Sequence, residues 1–141
     1  MDLESRTALI VDQMTSNYGQ LLIRTETNNI MNVCHIASCA GGWWDDVDLT
    51  KDTYVVPTKL CLIHSEISEA MEGHRKGLMD DHLPDRLMVE VELADALIRI
   101  FDLAGALKLD IGGALAEKMK YNMSRADHKS EHRQSDGGKK Y

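Results

Sequence analysis

Apolar residues recur at intervals of three and four along most of the chain, the spacing of one face of an α-helix. Over residues 24–40 they are Ile30, Val33, Cys34 and Ala37, and Gly41-Gly42 stops the run. A second run carries Leu60, Ile63, Ile67, Ala70 and Met71 to about Arg75 or Lys76. Thr53 or Thr58 is its expected cap, Pro57 falls near its first turn and Gly77 ends it. A third run opens at Pro84 and should bury Leu87, Val91, Ala94, Leu97, Ile98 and Phe101, with Gly105 near its end. A fourth enters at Asp110 with Gly112-Gly113 and packs through Leu115, Met119 and Met123. Upstream, residues 8–11 and 21–23 are short apolar stretches parted by 15–19, which reads as a short N-terminal helix and a turn. Strand-like alternation is hardly suggested anywhere. The pattern predicts an all-α fold of four to five helices, the second and third runs antiparallel across the loop from Gly77 to Pro84.

Those two runs also carry chemistry. Glu66/Glu69 lie in one and Glu92/Asp95 in the other, each pair three residues apart and flanked by apolar positions. Residues i and i+3 share a helix face, so each pair points two carboxylates the same way. Packed side by side, the helices would bring four carboxylates to one place, where repulsion and desolvation are costly unless a cation sits among them. Ligation by oxygen alone suits Mg²⁺, with Mn²⁺ as a substitute, and not zinc. Glu66 or Glu69 is the expected general base, and the sequence does not choose between them. Arg99 and Asp102, also three apart, are expected to pair with each other.

Two further groups are candidates for holding a nucleotide. Lys118, Asn122 and Arg125 form one polar stripe on the last helix, fit to neutralise phosphate oxygens. Trp43 and Trp44 are adjacent and cannot share a helix face, so one packs inward and the other is free to stack on a base. Asn32, with Asn28 and Asn29, offers an amide for a base edge. An indole stacks best on a bicyclic ring, which favours purines such as dGTP or dATP.

Composition narrows the classes. The 141 residues carry a formal net charge of −7, against a nucleic-acid backbone binder but compatible with an acidic metal site. Cys34, Cys39 and Cys61 are odd in number and irregularly spaced, which reads as small buried hydrophobes and not a disulfide framework. No apolar run reaches membrane-spanning length, and the acidic start lacks the basic opening of a signal peptide, so no membrane is expected and the compartment is expected to be cytoplasmic. Two rival readings stand beside the metal enzyme. A di-iron bundle would need Glu-x-x-His on its helices, and the glutamates of these two runs lack that His. A helical oligomerisation or adaptor module would use its acids only for solubility.

The set Glu66-x-x-Glu69, Glu92-x-x-Asp95 resembles the MazG-like all-α nucleoside triphosphate pyrophosphohydrolases. The likeness continues through the run from Glu69 to Gly77, the run from Glu92 to Ile100 and the stretch from Glu117 to Lys129. Toward the N-terminus it extends to Gly42-Trp43-Trp44, as in phage-borne members, whose compartment would be the host cytoplasm. The resemblance implies magnesium at Glu66, Glu69, Glu92 and Asp95. It implies cleavage of the α–β bond of a (d)NTP to (d)NMP and pyrophosphate, in a homodimer or homotetramer. It divides the chain into an extension over 1–25, a catalytic helical domain over 26–128 and a polar tail over 129–141.

Overall fold

The computed structural model describes residues 2–125. They form five α-helices with no strand among the described residues, as the spacing predicts: α1 (Leu3–Thr15), α2 (Asn17–Ala40), α3 (Val55–Lys76), α4 (Met88–Ala106) and α5 (Ile111–Ser124). No helix among them is long and apolar enough to cross a membrane. The expected tail over 129–141 lies outside the described residues. The chain divides into two compact units, one of residues up to Asn28 with those from Asp110 onward, the other Asn29–Leu109.

In the first unit the expected turn at 15–19 shrinks to Ser16. Its backbone N–H closes the end of α1 on the Asp12 carbonyl, while its hydroxyl accepts from Gly19 N at 3.0 Å in the first turn of α2. One residue thus ends one helix and caps the next. Residues 21–23 accordingly belong to α2 and not to the segment before it. Asp110 caps α5 by accepting from Gly113 N, and it also accepts from Asn28 Nδ2 at 2.8 Å. The Asn28 oxygen takes Gly112 N at 2.8 Å. The amide expected to be available for a base edge is therefore consumed in fastening α2 to the entry of α5.

In the second unit α3 and α4 pack along their length. Gly73 faces Met88, Glu66 pairs with Arg99, and Lys59 reaches Asp102. One number falls as the other rises, so the pair is antiparallel. Gly77 ends α3 in the left-handed conformation at φ 63°, which costs glycine little. The connector then folds on itself through a Met79–Leu87 bridge, and buried Asp80 accepts from His82 N and Leu83 N. Pro84 lies in that connector, and α4 starts four residues later than expected because Leu78 and Met79 first pair back toward Leu87 and Met88.

The seam between α3 and α4 also differs from the expected apolar one. Ala70, Gly73 and Ala96 are buried there together with Glu66 and Glu92. Leu60, Ile67, Met71, Leu87, Leu97 and Ile98, expected inside, are all exposed. Small residues let the two backbones approach, and a seam between just two helices is too narrow to cover the flanking large side chains as well. Cys39 and Cys61 are exposed and Cys34 half-buried, not the buried hydrophobes expected.

Candidate functional site

The acid pairs meet across the α3–α4 seam. One carboxylate oxygen from each of Glu66, Glu69 and Glu92 lies within 4.8 Å of the other two. Glu66 and Glu92 are only 6% and 8% exposed, while Glu69 is at the surface. Helical spacing explains the difference: the seam-facing stripe passes through Glu66, Ala70 and Gly73, and Glu69 sits at its edge. Burial pushes the Glu92 carboxyl up to about 7, helped by its hydrogen bond with Glu66 and by the charges of Glu69, Glu66 and Asp95. Asp95 is not one of the converging three. Burial and the Glu66 charge raise its pKa against the pull of Arg99.

Arg99 does not pair with Asp102. It reaches across the seam to Glu66, Nε to Oε1 at 2.7 Å, while Asp102, just as buried, is engaged by His35, Trp44 and Lys59. Asp102 is instead the centre of a different cluster. Trp44 Nε1 donates to its Oδ1 at 2.7 Å, His35 Nδ1 lies 2.9 Å from the same oxygen, and Lys59 Nζ is 3.4 Å from Oδ2. Burial acts to raise the Asp102 pKa, but the bonds from His35, Trp44 and Ser38 and the Lys59 charge outweigh it and hold it below the usual range. Gly105 makes the arrangement possible: a Cβ there would stand 2.6 Å from the Cβ of His35.

Between the two clusters lies a cavity of about 270 Å³. Asp95 and Arg99 line one part of it, and Ser38, Lys59 and Asp102 another, with Trp43 also in its wall. Trp43 is 72% exposed. Trp44 is turned inward, its ring 4.4 Å under the Lys59 ammonium and edge-on to His35. Of the two tryptophans expected to divide these roles, Trp43 is the one with a free face. Asn32 is exposed on α2 and does not line the cavity.

The polar stripe of α5 belongs to the other unit. Lys118 Nζ lies 4.8 Å over the Tyr121 ring and the Arg125 guanidinium 5.7 Å from it. Asn122 Oδ1 is buried without a hydrogen-bond partner among the described residues.

Sequence reasoning missed the Asp102 cluster, although spacing marked its Lys59–Asp102 pair. Lys59 is seven residues before Glu66 and Asp102 seven after Asp95, two turns along the same faces. Antiparallel packing then sets Lys59 opposite Asp102 just as it sets Glu66 opposite the Glu92/Asp95 pair. No family model, curated protein or solved structure matches this chain.

Proposed function

We propose that the chain is a Mg²⁺-dependent nucleoside triphosphate pyrophosphohydrolase that converts a (d)NTP and water to (d)NMP and pyrophosphate. The observation that carries this reading is the convergence of Glu66, Glu69 and Glu92 within 4.8 Å across a buried helix seam. The donor set is oxygen only, and burial, reinforced by the neighbouring carboxylates, pushes Glu92 up to about 7, a condition a hard divalent cation relieves. Glu66, Glu92 and Glu69 would hold the ion, with Asp95 beside them. A bound Mg²⁺ supplies polarisation of a phosphoryl oxygen and a more acidic water.

The chain's own groups divide the remaining work. Glu66 is tied to Arg99 and Glu92, whereas Glu69 is exposed and its carboxylate makes no hydrogen bond among the described residues. Glu69 is therefore the group placed to take a proton from an attacking water. The adjoining cavity, at about 270 Å³, is slightly below the roughly 300–1,000 Å³ of pockets that enclose drug-sized ligands. It suits a base and sugar with the phosphates outside it. Trp43 offers the flat face for the base, which favours purines. The sequence likeness to MazG-like enzymes supports cleavage at the α–β bond. It also supports assembly as a homodimer or homotetramer, which would cover the apolar side chains exposed on α3 and α4.

The test is to incubate the chain with Mg²⁺ and each common NTP and dNTP and to identify the products. Monophosphate with pyrophosphate is expected; diphosphate with phosphate, or no turnover with any of them, overturns the reading. Light scattering at micromolar concentration checks the assembly, which a monomer would contradict.

A further inference from the structure

The cavity has one wall group whose chemistry the acid cluster does not use. Lys59 lies in the run preceding the first acid pair, and its side chain is 21% exposed. Its ammonium has three N–H donors. One is directed to Asp102 Oδ2, and the Trp44 face beneath it adds a cation–π contact without accepting a second proton in-line. Asp102 cannot itself read a ligand, since Trp44, His35, Ser38 and Lys59 already engage it. What this part of the cavity presents is a fixed cationic donor with N–H groups to spare.

Its distance from the acids matters. Lys59 is seven residues along α3 from Glu66, about 10 Å at the rise of an α-helix. That is the scale of a nucleoside, so with phosphates at the acids Lys59 falls at the base. Bases differ on the edge they offer such a donor. Guanine presents the adjacent acceptors O6 and N7, the pair that lysine and arginine recognise most often, whereas adenine places an N6 amino group beside N7. A cationic donor meets two acceptors in the first and a competing donor in the second.

We propose that Lys59 is the specificity-determining residue of the site and that its ammonium selects the O6/N7 edge of guanine. This rests on the reading of the acid cluster as a nucleotide pyrophosphohydrolase centre and deepens it from purines to guanine. Asp102 and Trp44 act through Lys59 as positioning residues, holding the ammonium in the cavity wall.

The experiment compares kcat/KM for dGTP and dATP in the whole chain and in Lys59→Met. The unaltered chain is expected to favour dGTP by roughly ten- to a hundredfold, the range of a good base-edge contact. In Lys59→Met the ratio should fall to near one, with the loss carried by the KM for dGTP, and Lys59→Arg should restore it. Substrate analogues give the same information without altering the protein: 2-aminopurine deoxynucleoside triphosphate, which lacks O6, should drop to the level of dATP. A dGTP preference below threefold, or a preference that survives in Lys59→Met or with the analogue, overturns the proposal. If no nucleotide is turned over, the hydrolase reading fails separately. Quenching of the tryptophan fluorescence by dGMP against dAMP then decides the guanine preference alone, and equal affinity for the two overturns it.

Discussion

Two buried carboxylates, Glu92 and Asp102, lie nearly three helical turns apart on α4, and their surroundings are opposites. At Asp102 the protein brings an indole N–H, an imidazole, a hydroxyl and an ammonium to one carboxylate, whose pKa is lowered in spite of burial. At Glu92 it brings three more carboxylates near, and the pKa rises to about 7. Burial pushes both carboxyls upward; at Glu92 the neighbouring acids add to that push, whereas at Asp102 the donors reverse it. Asp102 is complete within the chain, whereas the glutamate cluster has one guanidinium, Arg99, against four acids. A site left electrostatically unfinished is where an external cation gains most.

The comparison is most sharply broken by neutralising each carboxylate in turn. Glu66→Gln and Glu92→Gln should each lower the proposed pyrophosphohydrolase activity by about a hundredfold or more, while helix content in circular dichroism stays unchanged. Without metal, the melting temperature of Glu92→Gln should equal or exceed that of the parent, because repulsion is relieved. Asp102→Ala should do the reverse to stability. It strands the Trp44 N–H and the Lys59 ammonium and should cost about 3 kcal/mol in chemical denaturation. If both substitutions shift stability in the same direction, the contrast is wrong.

Acidity separates the two sites on one sample. In EDTA the folded chain keeps the Glu92 proton between about pH 4.5 and 7 while the unfolded chain has lost it. Stability from this group is thus full below pH 4.5 and falls as pH rises through 7, by roughly 3 kcal/mol. Asp102 has a lowered folded pKa, so its contribution is present above the ordinary aspartate value and disappears as pH falls through the folded one. Melting curves from pH 3 to 8 should show both limbs, with Glu92→Gln removing the upper decline and Mg²⁺ opposing it.

A smaller effect is expected at Gly105. An alanine there meets His35 and should destabilise by about 1–3 kcal/mol through overpacking, and Asp102→Ala should reduce that penalty once His35 is free to shift. The smallest belongs to Glu72, the next acid along α3, which is paired with Lys76 and Arg75 in solvent. Arg75→Ala should move the melting temperature by less than about 2 °C, since exposed pairs contribute little.

How much of this was legible in the sequence follows the range of the interaction. Helix existence came from three-and-four spacing, and the ends at Gly77 and Asp110 from the chemistry of single residues. The acid pairs were visible because both members of each pair sit on one helix. Arg99 was assigned to Asp102 by the same local logic, and there the cross-helix partner won. The Asp102 cluster joins residues 35, 44, 59 and 102, and no local spacing contains all four. The exposed leucines and isoleucines were expected inside because amphipathic spacing marks an apolar face but not whether anything in the same chain covers it.

The connector between α3 and α4 has a consequence for how the chain tolerates change in length. An α-helix turns about 100° with each residue, so the Met79–Leu87 bridge and the Asp80 turn fix the rotational phase of α4 against α3. Adding one residue inside α3 between Glu69 and Gly77 would swing Glu66 and Lys59 away from their partners together. The same addition at residues 84–85, within the loop that the bridge closes and past the Asp80 turn, would be taken up there. The two carboxylate sites are thus set by a single gauge, and insertions and deletions there are inherited by both or by neither.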